Sequence, residues 1–112
     1  MQITRKADVE KVEVMKGVTR YILLSGEKLM VVYYEIEPGV IFPEHSHPHE
    51  QMGYIIKGKA EYKAGGKVKI AEAGAAYYFP SNEKHQITTL DEKSVFLDIF
   101  SPPREDFLVK KK

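Results

Sequence analysis

The sequence contains neither cysteine nor tryptophan. Without cysteine there can be no disulfide framework and no thiolate chemistry, so a metal site in this chain would have to use nitrogen and oxygen ligands. No apolar run is long enough to cross a bilayer, and the first residues lack the apolar segment of a secretory signal. These absences predict a cytoplasmic protein with no membrane partner.

Neither sign of charge dominates the sequence. Lys and Arg together number 17 and Asp and Glu 16, which leaves a net charge of +1 over 112 residues. A protein that binds nucleic acid usually carries a marked basic excess, and the three lysines at the C terminus are more typical of a solvated end. We therefore expect one domain, residues 1–112, that binds no nucleic acid and has flexible ends at residues 1–10 and 109–112.

All four histidines lie between residues 45 and 85. Residues two apart share a face of an extended segment, so His45 and His47 can point to one place, and Gln51 follows at another even offset. Imidazole suits zinc, copper, iron and nickel, whereas calcium and magnesium sites are built almost entirely from oxygens. The spacing predicts a divalent metal site completed by His85, with a purely structural histidine cluster as the alternative. His49 does not share the spacing and is expected to be exposed or to lie behind the metal ligands.

Short runs of β-forming residues alternate with turn residues throughout the chain, a pattern typical of an all-β sandwich or barrel. We predict about eight strands and no helix longer than one turn. The predicted strands cover residues 18–24, 29–36, 51–56, 60–63, 67–71, 75–79, 85–89 and 94–100.

The predicted strand from Leu29 to Ile36 is apolar on both of its faces. One face should meet the core of the domain. The other must lie under a second layer or against another subunit, because small monomers rarely expose large apolar patches. Two-fold symmetry is the commonest way for a chain to bury such a face on a copy of itself. We therefore expect a homodimer.

Two segments, residues 39–58 and 74–89, resemble the two sequence motifs of the cupin superfamily. The matching residues are Gly39, His45, His47, Gln51 and Gly58 in the first motif, and Gly74, Pro80, Asn82, His85 and Thr89 in the second. The two motifs cover nearly half of the chain. The resemblance implies a single cupin domain, which is an all-β double-stranded β-helix, or jelly-roll β-barrel, with a metal inside its mouth.

Three residues depart from the usual cupin pattern. Gln51 stands where many cupins carry a glutamate ligand, Asn82 replaces a glycine, and Thr89 replaces an asparagine. Three imidazoles and an amide are all neutral, so the site would keep the full charge of the metal and attract an anionic ligand such as a carboxylate. A shift of one residue would instead make Glu50 the fourth ligand. The even offset of Gln51 from the first two histidines favours Gln51.

Asp98 interrupts an otherwise apolar strand and shares a face with Phe96 and Phe100. A buried carboxylate is costly unless it is paired or hydrogen-bonded. Asp98 could simply face solvent or pair with a nearby cation, but a buried carboxylate beside a metal is typical of an acid or base in catalysis. Arg104 follows after a Pro-Pro turn and could fold back as its partner or as a substrate clamp.

Residues 98–107, together with residues 45–51, resemble a narrower group, the small cupins of pectin and alginate breakdown. In that group a metal-dependent cupin opens the ring of 4,5-unsaturated uronates to a linear keto sugar acid. The resemblance implies one divalent transition metal (nickel, zinc, iron or manganese) and a sugar acid as the small-molecule substrate. The implied metal ligands are His45, His47, Gln51 and His85, the implied catalytic residues are Asp98 and Arg104, and the implied substrate-binding residues are Phe100 and Arg104.

Two other functions fit the same residues. Imidazole-rich sites also support iron-dependent oxygen chemistry, so a dioxygenase is one alternative. The other is a non-enzymatic cupin that binds a metal or a small molecule, in which Asp98 would have only a structural role. A sugar-responsive transcription factor is not expected, because the sequence contains no helical DNA-binding segment.

Overall fold

The computed structural model describes residues 1–108, which form ten β-strands. The strands are β1 (Val12–Met15), β2 (Val18–Ser25), β3 (Met30–Ile36), β4 (Ile41–His45), β5 (Glu50–Lys57), β6 (Lys59–Ala64), β7 (Lys67–Glu72), β8 (Ala76–Phe79), β9 (His85–Thr89) and β10 (Ser94–Ser101). A 3₁₀ turn (Lys6–Asp8) precedes β1, and a helix of four residues, α1 (Glu105–Leu108), follows β10.

The strands form two antiparallel sheets with the core between them. The larger sheet has the order β1-β2-β3-β10-β5-β8 and the smaller one the order β4-β9-β6-β7. Neighbouring strands are mostly distant in sequence, as expected when a chain winds between two sheets in a jelly roll. The predicted all-β jelly-roll architecture is confirmed, although the two sheets are not hydrogen-bonded into a closed ring.

All eight predicted strands are present, and each of their ends lies within one residue of its predicted position. Two strands were not predicted. β1 has only four residues, and β4 contains Pro43, which cannot donate to a ladder and so weakens the sequence signal for a strand. Both lie at an edge of their sheet, where such short or proline-containing strands are tolerated.

Side chains from both sheets form the core. The main cluster consists of Val18, Ile36, Ile55, Ala60, Tyr62, Phe79, Ile87 and Phe96. A second cluster consists of Met30, Val32 and Phe100. The prediction that one face of β3 meets the core is confirmed, because Met30, Val32 and Ile36 belong to these two clusters. Val31 and Tyr33, on the opposite face, are only half-buried.

The two motif segments each run from one sheet to the other, and a hydrogen bond joins their turns. Residues 39–58 form β4 in the smaller sheet and β5 in the larger, and residues 74–89 form β8 and β9. The backbone N–H of Asn82 donates to the carbonyl of His47 at 2.8 Å. Asn82 has a φ of 65°, in the left-handed region that asparagine adopts more readily than most residues other than glycine. The replacement of the usual glycine therefore preserves the turn.

The N-terminal residues contact the larger sheet. Thr4 Oγ1 donates to the carbonyl of Leu23 at 2.7 Å, and Lys6 Nζ lies 3.0 Å from a carboxylate oxygen of Glu35. Flexibility of residues 1–10 stays a prediction, and residues 109–112 lie outside the described part of the chain. Within residues 1–108, no helix has the length and apolar character needed to cross a membrane.

Candidate metal centre

Three histidines meet at one end of the space between the sheets. His45 of β4 is the direct register partner of His85 of β9, and His47 follows β4. Each offers one ring nitrogen, and these three atoms lie within 4.8 Å of one another. His47 and His85 are buried, whereas His45 is exposed, so the group lies at an open end of the fold. This cluster could hold a metal ion.

Each of the three histidines donates a hydrogen bond from Nδ1 to a backbone carbonyl. The carbonyls are those of Pro43, His49 and Glu83, at 2.9, 3.0 and 2.9 Å respectively. A carbonyl oxygen can only accept, so the ring proton lies on Nδ1 and the lone pair on Nε2. Metal-binding histidines are commonly oriented in this way by a hydrogen bond to the other ring nitrogen. Three Nε2 lone pairs are therefore available to one ligand.

The Nε2 lone pairs of His47 and His85 accept no hydrogen bond from a donor within residues 1–108, which supports a cation bound beside them. Nε2 of His85 is buried and has no hydrogen-bond partner within residues 1–108. Nε2 of His47 lies 3.0 Å from Oε1 of Gln51, whose amide NH₂ donates to Asp98 at 3.2 Å. Two acceptor atoms thus face each other, which is unfavourable unless a cation lies between them. The residues fit a divalent metal.

The two possible fourth ligands point to opposite faces of β5. Gln51 is 5% exposed and has its amide oxygen directed at the histidines. Glu50 is exposed and accepts a hydrogen bond from the hydroxyl of Tyr78 at 2.5 Å. His49 contributes its carbonyl to His47 and does not belong to the three-histidine group. The geometry therefore brings Gln51, and not Glu50, to the histidines.

Burial keeps the inner histidines neutral. Loss of solvent lowers the pKa of His47, and it lowers the pKa of His85 to about 4. The ring of Phe79 stacks on that of His85 with centroids 4.1 Å apart and an angle of 5° between the planes. Only a neutral imidazole can bind a metal, so both residues are in the binding form near pH 7.

Asp98 lies on the inner face of β10 and is 4% exposed. The hydroxyl of Tyr77 donates to Oδ1, and the amide of Gln51 donates to Oδ2 at 3.2 Å. Burial raises the pKa of Asp98 to about 7, although both hydrogen bonds act to lower it. The alternative that Asp98 faces solvent is therefore wrong. Pairing of Asp98 with Arg104 is wrong as well, because Arg104 is bonded to Asp106 at 2.9 Å.

Gly53 makes the contact between Tyr77 and Asp98 possible. Asp98, Gly53 and Tyr77 are register partners on the adjacent strands β10, β5 and β8. The Tyr77 ring lies across the backbone of Gly53, and a Cβ atom placed there would be only 2.1 Å from Cζ of Tyr77. Sequence reasoning did not assign these two residues to the site, because no local signal shows which residues face each other across a sheet.

A cavity of about 200 Å³ joins the three-histidine group to Asp98. Of the predicted site residues, those that line it are His45, Gln51, His85, Asp98, Phe100 and Arg104. His47 packs beside it, with its ring centroid 5.8 Å from that of Phe100. Sequence reasoning missed Arg20 and Phe107, which also line the cavity. Arg20 could have been found, because it interrupts the apolar face formed by Val18 and Ile22 just as Asp98 interrupts its own strand.

The family model described as "Cupin domain" matches residues 32–100. The chain belongs to the cupin family. This cupin is 37% identical over 97 residues to the pectin degradation protein KdgF of Dickeya dadantii, a match that covers 86% of this chain and 88% of the relative. It is 31% identical over 97 residues to oxalate decarboxylase OxdC of Bacillus subtilis, of which the match covers 25%.

Solved structures show the same fold. The structure of KdgF from Halomonas sp. matches this cupin with a TM-score of 0.90 and 27% identity, over 96% of this chain and 98% of the other. The cupin from Shewanella frigidimarina matches with a TM-score of 0.89 and 26% identity, over 96% of both chains.

Proposed function

We propose that this cupin opens the ring of 4,5-unsaturated uronates to linear keto sugar acids, with a divalent metal held by His45, His47, Gln51 and His85. The observation that carries the proposal is that one cavity joins a group of three metal-binding histidines to a buried acid, Asp98. This cupin is similar over most of its length to a protein named for pectin degradation, which supports a uronate as the substrate.

The donor set suits nickel, zinc, iron or manganese. A metal bound there would act as a Lewis acid toward oxygen atoms of the sugar acid. Gln51 would serve as a neutral fourth ligand, so the centre would keep a positive charge in a cavity that also contains Arg104. The positive charge of the centre favours an anionic ligand, which is consistent with a sugar acid.

Asp98 would supply the proton. With a pKa raised to about 7, it is partly protonated at neutral pH although it is buried. Transfer of this proton to C4 of the C4=C5 enol ether leaves the positive charge at C5, where the ring oxygen stabilises it. The C1 hydroxyl then gives its proton to the Asp98 carboxylate and becomes C1=O, the bond between C1 and the ring oxygen breaks, and the ring oxygen becomes the C5 ketone of the linear product. If water adds at C5 instead, it gives its proton to the carboxylate, and the hemiketal opens by cleavage of the bond between C5 and the ring oxygen to the same ketone with C1 as a hydrated aldehyde. Tyr77 and Gln51 hold the two carboxyl oxygens throughout.

Phe100 and Arg104 would contact the sugar. Phe100 forms part of the cavity wall, and the guanidinium carbon of Arg104 lies 5.1 Å from the centroid of its ring. The Arg104 side chain is only 14% exposed. An aromatic wall beside a guanidinium group suits a ring that carries an acid group.

Nuclear magnetic resonance of freshly generated 4,5-unsaturated galacturonate tests the proposal. Metal-loaded protein should speed the loss of the ring enol-ether signal, and chelation should abolish this effect. Asp98→Asn should also abolish turnover while the metal content stays unchanged, whereas Asp91→Asn, in an exposed turn, should leave turnover intact. Full activity of Asp98→Asn would remove Asp98 from the mechanism. No turnover by metal-loaded protein, with oxygen consumption by the iron form, would favour a dioxygenase instead.

We also propose that the outer face of the larger sheet forms a homodimer contact. Exposed apolar side chains gather there on the adjacent strands β5, β8 and β10. They are Met52, Tyr54, Ile56, Tyr78 and Ile99. Burial of this face on a second copy would remove a patch that soluble monomers rarely carry. A cytoplasmic location stays a prediction from the sequence.

A further inference from the structure

Arg20 is a cation on the inner side of the larger sheet that the proposed function does not use. It lies in β2, where its register partners are Val12 and Tyr34. Its side chain lines the same cavity as Asp98 and Arg104. A charged residue directed into such a cavity needs either a partner or a ligand, because loss of hydration is costly.

Arg20 has no such partner within residues 1–108. It forms no ion pair there, and its Nε atom is buried without a hydrogen-bond acceptor. Arg104 differs in this respect, because its Nε and Nη2 atoms donate to the two carboxylate oxygens of Asp106 at 3.1 and 2.9 Å. Of the five N–H donors of each guanidinium group, Arg104 gives two to Asp106, whereas Arg20 gives none to an acceptor within residues 1–108.

The ring of Phe107 holds Arg20 in place without using its donors. The guanidinium carbon of Arg20 lies 4.0 Å from the centroid of this ring, and that of Arg104 lies 4.3 Å from the same centroid. A guanidinium group next to an aromatic ring is attracted by the π electrons while its N–H groups still point outward in the plane. Arg20 is therefore fixed in position and ready to bind an anion.

We propose that Arg20 binds the carboxylate of the sugar acid. The inference rests on the proposed function and adds the contact that recognises the acid group. A guanidinium group can donate two parallel hydrogen bonds to one carboxylate, which suits a rigid and otherwise unpaired arginine. The carboxylate would lie on the side of the cavity formed by Tyr34 and Phe107. The hydroxyl groups and ring oxygen of the sugar would then be left for the metal centre, and C4 for Asp98.

Isothermal titration of zinc-loaded protein with D-galacturonate and with D-galactose tests this assignment. The two sugars differ only in the acid group, and galacturonate has no C4=C5 bond, so binding is measured without turnover. Arg20→Met should weaken galacturonate binding by about tenfold or more, as expected for the loss of a charge-assisted contact. It should leave galactose binding unchanged. Arg20→Lys, which keeps the charge but not the two parallel donors, should bind galacturonate with intermediate affinity.

Two control variants separate recognition from a structural role. Arg5→Met removes an exposed arginine that pairs with Asp8 at the surface and should behave as the wild type. Phe107→Leu removes the ring that holds Arg20 but keeps the guanidinium, so it should reduce the preference for galacturonate over galactose less than Arg20→Met does. If Arg20→Met weakens the binding of galacturonate and of galactose equally, Arg20 has only a structural role and the inference is wrong.

The outcomes also separate this inference from the proposed function. A wild-type protein that binds galacturonate no more tightly than galactose overturns the role of Arg20, whether or not it opens unsaturated uronates. If the protein prefers galacturonate through Arg20 but does not open unsaturated uronates, the role of Arg20 stands and only the proposed ring opening is rejected.

Discussion

Replacement of Gly53 by alanine tests how the larger sheet holds the acid. The Gly53 backbone has no left-handed φ, so alanine is acceptable there for the main chain. The conflict is with the Tyr77 ring, because the new Cβ would lie 2.1 Å from Cζ and 2.3 Å from the hydroxyl oxygen. Non-bonded carbon atoms need about 3.5–4.0 Å, so the ring would have to move by roughly 1.5 Å. Such a movement would break the hydrogen bond from Tyr77 to Asp98.

The expected loss of stability combines three contributions. Overpacking of a well-filled interior costs about 1–3 kcal/mol. A buried carboxyl group that loses its donor costs about 1–3 kcal/mol. Alanine in a strand is normally favoured over glycine by about 0.5–1 kcal/mol, which offsets part of this. We expect Gly53→Ala to lower the free energy of unfolding by about 1–5 kcal/mol.

Urea unfolding of chelated protein, followed by circular dichroism, measures this loss. Gly26→Ala is the matched control, because a Cβ there would meet only the Leu29 carbonyl at 3.6 Å. We expect a change within about 0.5 kcal/mol for this control. In a Tyr77→Ala background the ring is gone, so Gly53→Ala should be neutral or slightly stabilising.

Either of two results would contradict a collision between the new Cβ atom and the Tyr77 ring. Gly53→Ala could be as stable as the wild type, which would mean that Tyr77 does not need the space above the glycine. Alternatively, the loss could be equally large in the Tyr77→Ala background. The cost would then come from the backbone of β5 and not from a collision with the ring.

Three further predictions concern the metal, the pH dependence and the assembly. Elemental analysis should show that His85→Gln loses bound metal and that His49→Gln retains it, because His85 belongs to the three-histidine group and His49 does not. The pKa of His85 falls from 6.5 unfolded to about 4 folded, so chelated wild-type protein should lose stability as the pH falls from 6.5 towards 4. This contribution is at most about 3 kcal/mol, and urea unfolding of His85→Gln should show a flatter pH profile. Met52→Glu should convert a dimer to a monomer in light scattering, whereas Ile70→Glu, on an exposed strand of the smaller sheet, should not.

The features that could be predicted from the sequence are those that depend on residues close together in the chain. Alternation and turn residues located eight strands to within one residue, and the even spacing of the histidines identified a cluster that the fold does assemble. The burial of Asp98 followed from a single charged residue in an apolar strand. What could not be predicted depends on pairing between distant strands, as in the position of Tyr77 opposite Gly53. It also depends on side-chain geometry that spacing does not give, as in the choice of Asp106, two residues along the chain, as the partner of Arg104.

Gln51, which replaces the glutamate of many cupins, is hydrogen-bonded to the buried acid Asp98. Gln51 presents its oxygen to the histidines and its NH₂ group to Asp98, 3.2 Å away. A glutamate at this position would offer the metal a stronger, charged donor but no hydrogen for Asp98. It would place two carboxyl groups in contact, and these could not both ionise. An amide has the shape of glutamate and can accept from one side while it donates to the other. In the proposed metal centre, the presence of Asp98 on β10 therefore explains why glutamine, the weaker ligand, would occupy the fourth position.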